Sequence, residues 1–206
     1  MIEYLQTAPV ASIIFAMTLM TTLYGFYNDA AQNNMILHPY SVARKQRLYT
    51  LITSGFIHND WMHLFFNMFS FHAFAFILEQ TIGHWQFLVL YVITLVLSDL
   101  PTVYKNRENY YYRSLGASGA ISGIVFSAIL YYPKSDMNLI ILPDVDIPAY
   151  IFAVLYLVYC TYASKYSQDR INHDAHLYGA LSGIVITVIL NPGVVSHFLE
   201  QFGVGI

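Results

Sequence analysis

Six stretches of this chain, about residues 7–27, 61–79, 85–101, 116–132, 148–165 and 174–191, are apolar over the length of a membrane crossing. A helical span takes roughly 20 mostly apolar residues. Six of them leave little choice of architecture, because a water-soluble domain of 206 residues has no means of hiding that much apolar surface. Charged residues make up only 10% of the chain, where soluble domains carry about 25%. The chain therefore reads as an all-α polytopic membrane protein, with residues 1–206 forming a single domain. It shows no internal repeat and no low-complexity tract.

Other classes fall away on simple grounds. The net charge is −3 and no long basic run occurs, so nucleic acid is not a partner. Cys160 is the only cysteine and sits inside an apolar run. That excludes an intrachain disulfide and argues against a cysteine metal cluster, so no metal is expected. The N-terminus, MIEYLQTAPV, has no Lys or Arg ahead of its apolar stretch and no small-residue cleavage site. It is expected to be a retained span and not a signal peptide. The loops are brief except the first, 28–60, which mixes apolar and basic residues and is expected to form short interfacial helices. Arg44, Lys45 and Arg47 lie in that loop, Lys105, Arg107 and Arg113 in the third, and Lys165 and Arg170 at the fifth. Only Lys134 lies on the other side, so this charge pattern alone puts the odd-numbered loops in the cytoplasm.

A polar group inside a span is costly and points to a functional site. In the second span, WMHLFFNMFSFHAFAF, His63 and Asn67 are four apart and share a helix face. The fourth span opens with Ser118 followed by Gly119 and Gly123, and the sixth opens with Ala175, His176, Gly179 and Gly183. Even-numbered spans run in one direction, so these polar residues lie at comparable depth near one face. The two small-residue rows let helix backbones approach closely, which would bring His176 to the Ser118 hydroxyl. A serine becomes a nucleophile when a base within hydrogen-bond reach takes its proton. His63, Asn67 and the Ser118 N–H are the candidate donors for the resulting oxyanion. Singly, each feature has an ordinary structural reading: small residues pack, a histidine at a span end is interfacial, and His63 with Asn67 can act as interhelical glue. His72 and Asp99 read as structural, and Asp174 as a loop or cap residue.

The conjunction resembles the rhomboid family of intramembrane serine proteases, over about residues 44–192. The resemblance rests on TSGFIHNDWMHLFFNMFSF with His58, His63 and Asn67, on LGASGAISG with Gly116, Ser118 and Gly119, and on AHLYGALSG with Ala175, His176, Gly179 and Gly183. It implies a six-transmembrane-helix rhomboid-like bundle. Ser118 is then the nucleophile and His176 the base, with His63, Asn67 and Ser118 at the oxyanion. His58, Gly116, Gly119, Gly123, Ala175, Gly179 and Gly183 play structural parts near the site. Substrates would be single-span membrane proteins cut in or near their transmembrane segment, with no cofactor. The bacterial members imply a seat in the bacterial inner membrane, with the N-terminus in the cytoplasm, the reverse of the charge reading.

Two positions depart from the family pattern. Ser122 stands where many members carry an aromatic residue against the catalytic histidine, so orientation of the base falls to another group, Tyr178 or a water. Thr50 stands where many carry Arg, with Arg47 three residues earlier. Two other classes compete: a non-catalytic rhomboid-like binder of membrane clients, and a small-solute transporter with His63, Asn67 and His176 as a polar pathway. The lack of a repeated half weighs against the transporter.

Overall fold

The computed structural model describes residues 2–139, 142–169 and 171–205. Six helices stand where six spans are expected: α2 (Pro9–Phe26), α6 (Trp61–Ile82), α7 (His84–Asn106), α8 (Ser118–Tyr131), α9 (Ala149–Tyr166) and α10 (His173–Leu190). A short α1 (Ile2–Thr7) precedes them and α11 (Gly193–Glu200) follows. Among the described residues α2, α6, α7 and α10 are each long and apolar enough to cross a membrane. α9 matches α2 and α10 in length at 18 residues but carries five tyrosines. The third span is longer than expected. α7 does not stop at Pro101 but runs on to Asn106, with the proline inside it. The first loop folds into α3 (Asp29–Met35), α4 (Pro39–Ala43), α5 (Thr50–Thr53) and a 3-10 turn at Ser54–Phe56. An antiparallel hairpin, β1 (Asp136–Leu139) and β2 (Leu142–Pro148), joins α8 to α9 and has no counterpart in the sequence reading. Arg170 lies outside the described residues.

α8 is the centre of the bundle, with α6, α7 and α10 packed around it. It is apolar all round, the mark of a helix with no solvent face, and every residue from Gly119 to Ile129 is buried. Its 14 residues rise about 21 Å, short of a hydrocarbon core about 30 Å thick. It therefore starts at depth, and the preceding loop has to follow it inward. Irregular backbone survives there only where protein satisfies it. The Leu37 and Ser114 peptides exchange hydrogen bonds, and the Gly116 N–H donates to the Ser54 carbonyl at 2.9 Å. The basic residues are tied into the same loops. Arg44 donates to the Tyr40 and Arg107 carbonyls and pairs with Glu108 at 2.9 Å. Arg47, near the Thr50 departure, donates to the carbonyls of Asn33 and Asn34.

Candidate active site

The contact between α8 and α10 is made through backbone. A methyl group on Gly179 would strike the Gly119 carbonyl, and one on Gly183 would strike the Gly123 backbone. The α8 glycines also admit α7: methyls there would meet Ser98 and Thr94 respectively. A methyl on Gly119 would lie 3.3 Å from the Ala175 carbonyl oxygen. The peptides flanking Ser118 and His176 thus abut one another. Ser118 and His176 are both half-buried, and the Ser118 hydroxyl makes no hydrogen bond among the described residues. Catalytic hydrogen bonds are often long before substrate arrives.

His63 reaches this corner from α6. Gly116 sits over its ring: a methyl there would be 2.7 Å from both Cε1 and Nε2 of His63. Gly116 also adopts φ 115°, which side chains rarely allow. Asn67, one turn along α6, donates from Nδ2 to the His63 carbonyl at 2.9 Å, and its buried Oδ1 has no partner. His58, just before α6, is 1% exposed. Burial, reinforced by the neighbouring His63, pushes it down to about 3, so it is neutral. Its Nε2 accepts from the Ala117 N–H at 3.4 Å, which leaves Nδ1–H to donate to Thr22 Oγ1 at 3.0 Å. Thr22 in turn donates to the Phe56 carbonyl at 3.2 Å. One imidazole thereby joins α2, the first loop and the residue before Ser118.

Ser122 and His176 meet through a residue that the sequence reading missed. Ser122 Oγ donates to the Ser118 carbonyl at 2.9 Å and lies 2.8 Å from the Tyr156 hydroxyl. The Tyr156 ring, on α9, runs near-parallel to His176 at 21°, with centroids 6.5 Å apart. The aromatic partner of the histidine therefore comes from α9 and is pinned by Ser122. Tyr178 is instead 42% exposed on the outside of α10. Nothing in the sequence distinguishes Tyr156 from its four neighbours in the α9 tyrosine series.

The carboxylates go elsewhere. Asp174 is neither in a loop nor the cap of α10. It lies in the first turn and pairs with Lys105 at 2.6 Å. The cap is Asn172, whose Oδ1 accepts from the Ala175 N–H while its Nδ2 donates to Thr102 and Ser114. Asp169 holds His173 Nε2 at 3.1 Å. Its own carboxyl is held down at about 2, first by the Ser167 hydroxyl and then by the Ile171 N–H. His72 packs in a ring cluster with Tyr4, Phe15 and Phe76, well along α6 from His63.

Comparison with known proteins agrees with this geometry. A family model described as Rhomboid domain matches residues 45–193. Presenilin-associated rhomboid-like protein A, mitochondrial, of Danio rerio is 31% identical over 69% of this chain and 37% of its own length. Rhomboid-like protein 11, chloroplastic, of Arabidopsis thaliana is 30% identical over 69% of this chain and 52% of its own length. The protein named "Putative rhomboid protease YdcA" of Bacillus subtilis is 30% identical over 68% of this chain and 65% of its own length. The chain thus spans roughly a third to two thirds of these relatives. The matched region begins in the first loop and runs through α10, taking in every polar residue of the α6–α8–α10 corner. An integral membrane helical bundle closed by those glycines, matched over that range, is a member of the rhomboid family.

Proposed function

We infer that this protein is an intramembrane serine endopeptidase that cuts single-span membrane proteins in or near their transmembrane segment. The observation that carries this reading is the glycine-to-glycine closure of α8 on α10, which sets the peptides of Ser118 and His176 against each other. Ser118 Oγ attacks the scissile carbonyl while His176 takes its proton. The oxyanion meets the Ser118 N–H at the start of α8, together with the His63 ring edge and the Asn67 amide. His176 then passes the proton to the leaving amine, and water hydrolyses the acyl-enzyme by the same route. The base is oriented by Tyr156 and not by a carboxylate, since Asp169 and Asp174 are engaged elsewhere. The residues form one rhomboid-like domain. By topology the site lies at the membrane face opposite the start of α2. A bacterial cytoplasmic membrane is the seat we propose, on the likeness to the Bacillus subtilis relative.

The test is labelling of the detergent-solubilised protein with a fluorophosphonate serine probe, alongside cleavage of a model single-span substrate. Wild type should label and cleave, and Ser118→Ala and His176→Ala should each do neither while remaining folded. Equal cleavage by wild type and both variants would overturn the reading. Stable client capture without cleavage would instead favour the non-catalytic binding class.

A further inference from the structure

Around His176 lies a second group of side chains, two of which the proposed hydrolysis does not use. Cys160 on α9 and His173 and His176 on α10 each present one ligand atom, all within 4.8 Å of one another. Cys160 is fully buried and His173 is 4% exposed. A buried thiol alone is only a small apolar side chain. The telling feature is His173. Its Nε2 faces both oxygens of the Asp169 carboxylate at 3.1 Å, while its buried Nδ1 has no hydrogen-bond partner. The carboxylate fixes the proton on Nε2, so Nδ1 carries a bare lone pair inside the protein. An imidazole with a carboxylate behind it and a free lone pair in front is the arrangement that metal-ligating histidines adopt.

We propose that Cys160, His173 and His176 bind a thiophilic divalent cation of the Zn²⁺ class, and that the bound cation silences the protease by occupying the lone pair of His176. One sulfur and two imidazole nitrogens form a donor set that suits Zn²⁺, with a fourth position left for water. Bond lengths of about 2.0–2.1 Å to nitrogen and about 2.3 Å to sulfur imply ligand separations of roughly 3.3–3.6 Å across a tetrahedral site. Side-chain rotation of about an ångström closes the present spacing to that. On binding, the Cys160 thiol loses its proton to solvent and the thiolate, Nδ1 of His173 and one nitrogen of His176 donate their pairs to the cation. No electron is transferred. With its pair engaged, His176 cannot accept the Ser118 proton. The silencing rests on the protease reading, whereas the binding does not.

The experiment uses the full chain in detergent, stripped with chelator, with Zn²⁺ affinity measured against a competing chromophoric chelator and Co²⁺ as the spectroscopic probe. Wild type and Ser118→Ala should both bind one equivalent and show a thiolate-to-cobalt charge-transfer band. Cys160→Ser and Cys160→Ala should lose that band. His173→Ala should weaken Zn²⁺ by more than the roughly 10–100-fold expected for Asp169→Asn, which removes only the outer partner. Fluorophosphonate labelling of wild type should fall on adding Zn²⁺ and return with chelator, whereas labelling of Cys160→Ala should match its own chelator-treated value. Absence of the charge-transfer band in wild type, or equal Zn²⁺ affinity in wild type, Cys160→Ala and His173→Ala, overturns the proposal. Binding as described without any change in labelling overturns the silencing. A stripped wild type that binds metal yet never labels overturns the protease reading and leaves the metal site standing.

Discussion

At the scale of single residues, His58 and Tyr156 each tie together parts of the site that are distant in sequence. His58 is neutral in the fold, held down to about 3 by burial and by His63, against an ordinary value of 6.5. The unfolded chain therefore binds the extra proton first, and stability rises with pH across that interval. Melting in detergent should show full stability above about pH 6.5 and a steady loss as pH falls toward 3, with His58→Gln flattening that slope. His58→Ala leaves the Ala117 N–H and Thr22 short of a partner, and should cost about 1–3 kcal/mol at pH 8. Tyr156 is a positioning residue. Tyr156→Phe keeps the ring beside His176 but drops the bond to Ser122, and Tyr156→Ala drops both. Turnover of a single-span substrate should fall in that order, by up to about 10²-fold for the alanine variant. KM should move little, and loss of KM alone would contradict the role. His58 was legible in the sequence because its spacing to His63 and Asn67 is part of a motif. Tyr156 was not, because its partner, Ser122, is distant in the chain and a tyrosine in a span normally reads as part of the interfacial belt.

At the scale of helices, what could be read was length and composition, and what could not was context. The six apolar runs give six helices, with ends displaced by a few residues. α7 runs past its expected end at about residue 101 to Asn106, with Pro101 inside it. Within the bundle Thr102, Lys105 and Asn106 all find partners on that continuation, which outweighs the one lost backbone bond. The hairpin between α8 and α9 was missed: β1 is only four residues long, and the alternation in β2 is confined to Asp144, Val145, Asp146 and Ile147 between two prolines. The small-residue rows of α8 and α10 were legible as close-packing faces, but not the use of the same α8 glycines by α7. Gly179→Ala should test that packing. The added methyl meets the Gly119 carbonyl, a backbone atom that cannot move aside, and overpacking of this kind costs about 1–3 kcal/mol. Helix separation should also lower fluorophosphonate labelling in the fraction that stays folded. Gly205→Ala, which meets nothing within 4 Å, is the control and should melt with wild type.

At the scale of the whole molecule, the site is held from outside by polar ties between parts distant in sequence. Asn172 binds α7 and the loop before α8 while capping α10, and Arg44 fastens the first loop to the third. Part of the positive charge that ran against the family's usual orientation is engaged in building the loops: Arg44, Arg47 and Lys105 bind carbonyls and carboxylates there. At the opposite end Glu79, fully buried near the end of α6, accepts from the N–H groups of Val10 and Ala11 at 3.0 and 2.6 Å and from His84 Nδ1 at 2.7 Å. Glu79→Ala removes the acceptor of the Val10 and Ala11 N–H groups, while the exposed His84 ring can turn to solvent, and should lower detergent stability by about 1–3 kcal/mol, read as a melting shift that Glu79→Gln only partly restores. This carboxylate also sets an order of events during synthesis. The chain emerges from its N-terminus, so α2 is made with two bare amides at its head, and their acceptor is not translated until nearly 70 residues later. The head of α2 therefore gains its acceptor only once α6 has been made.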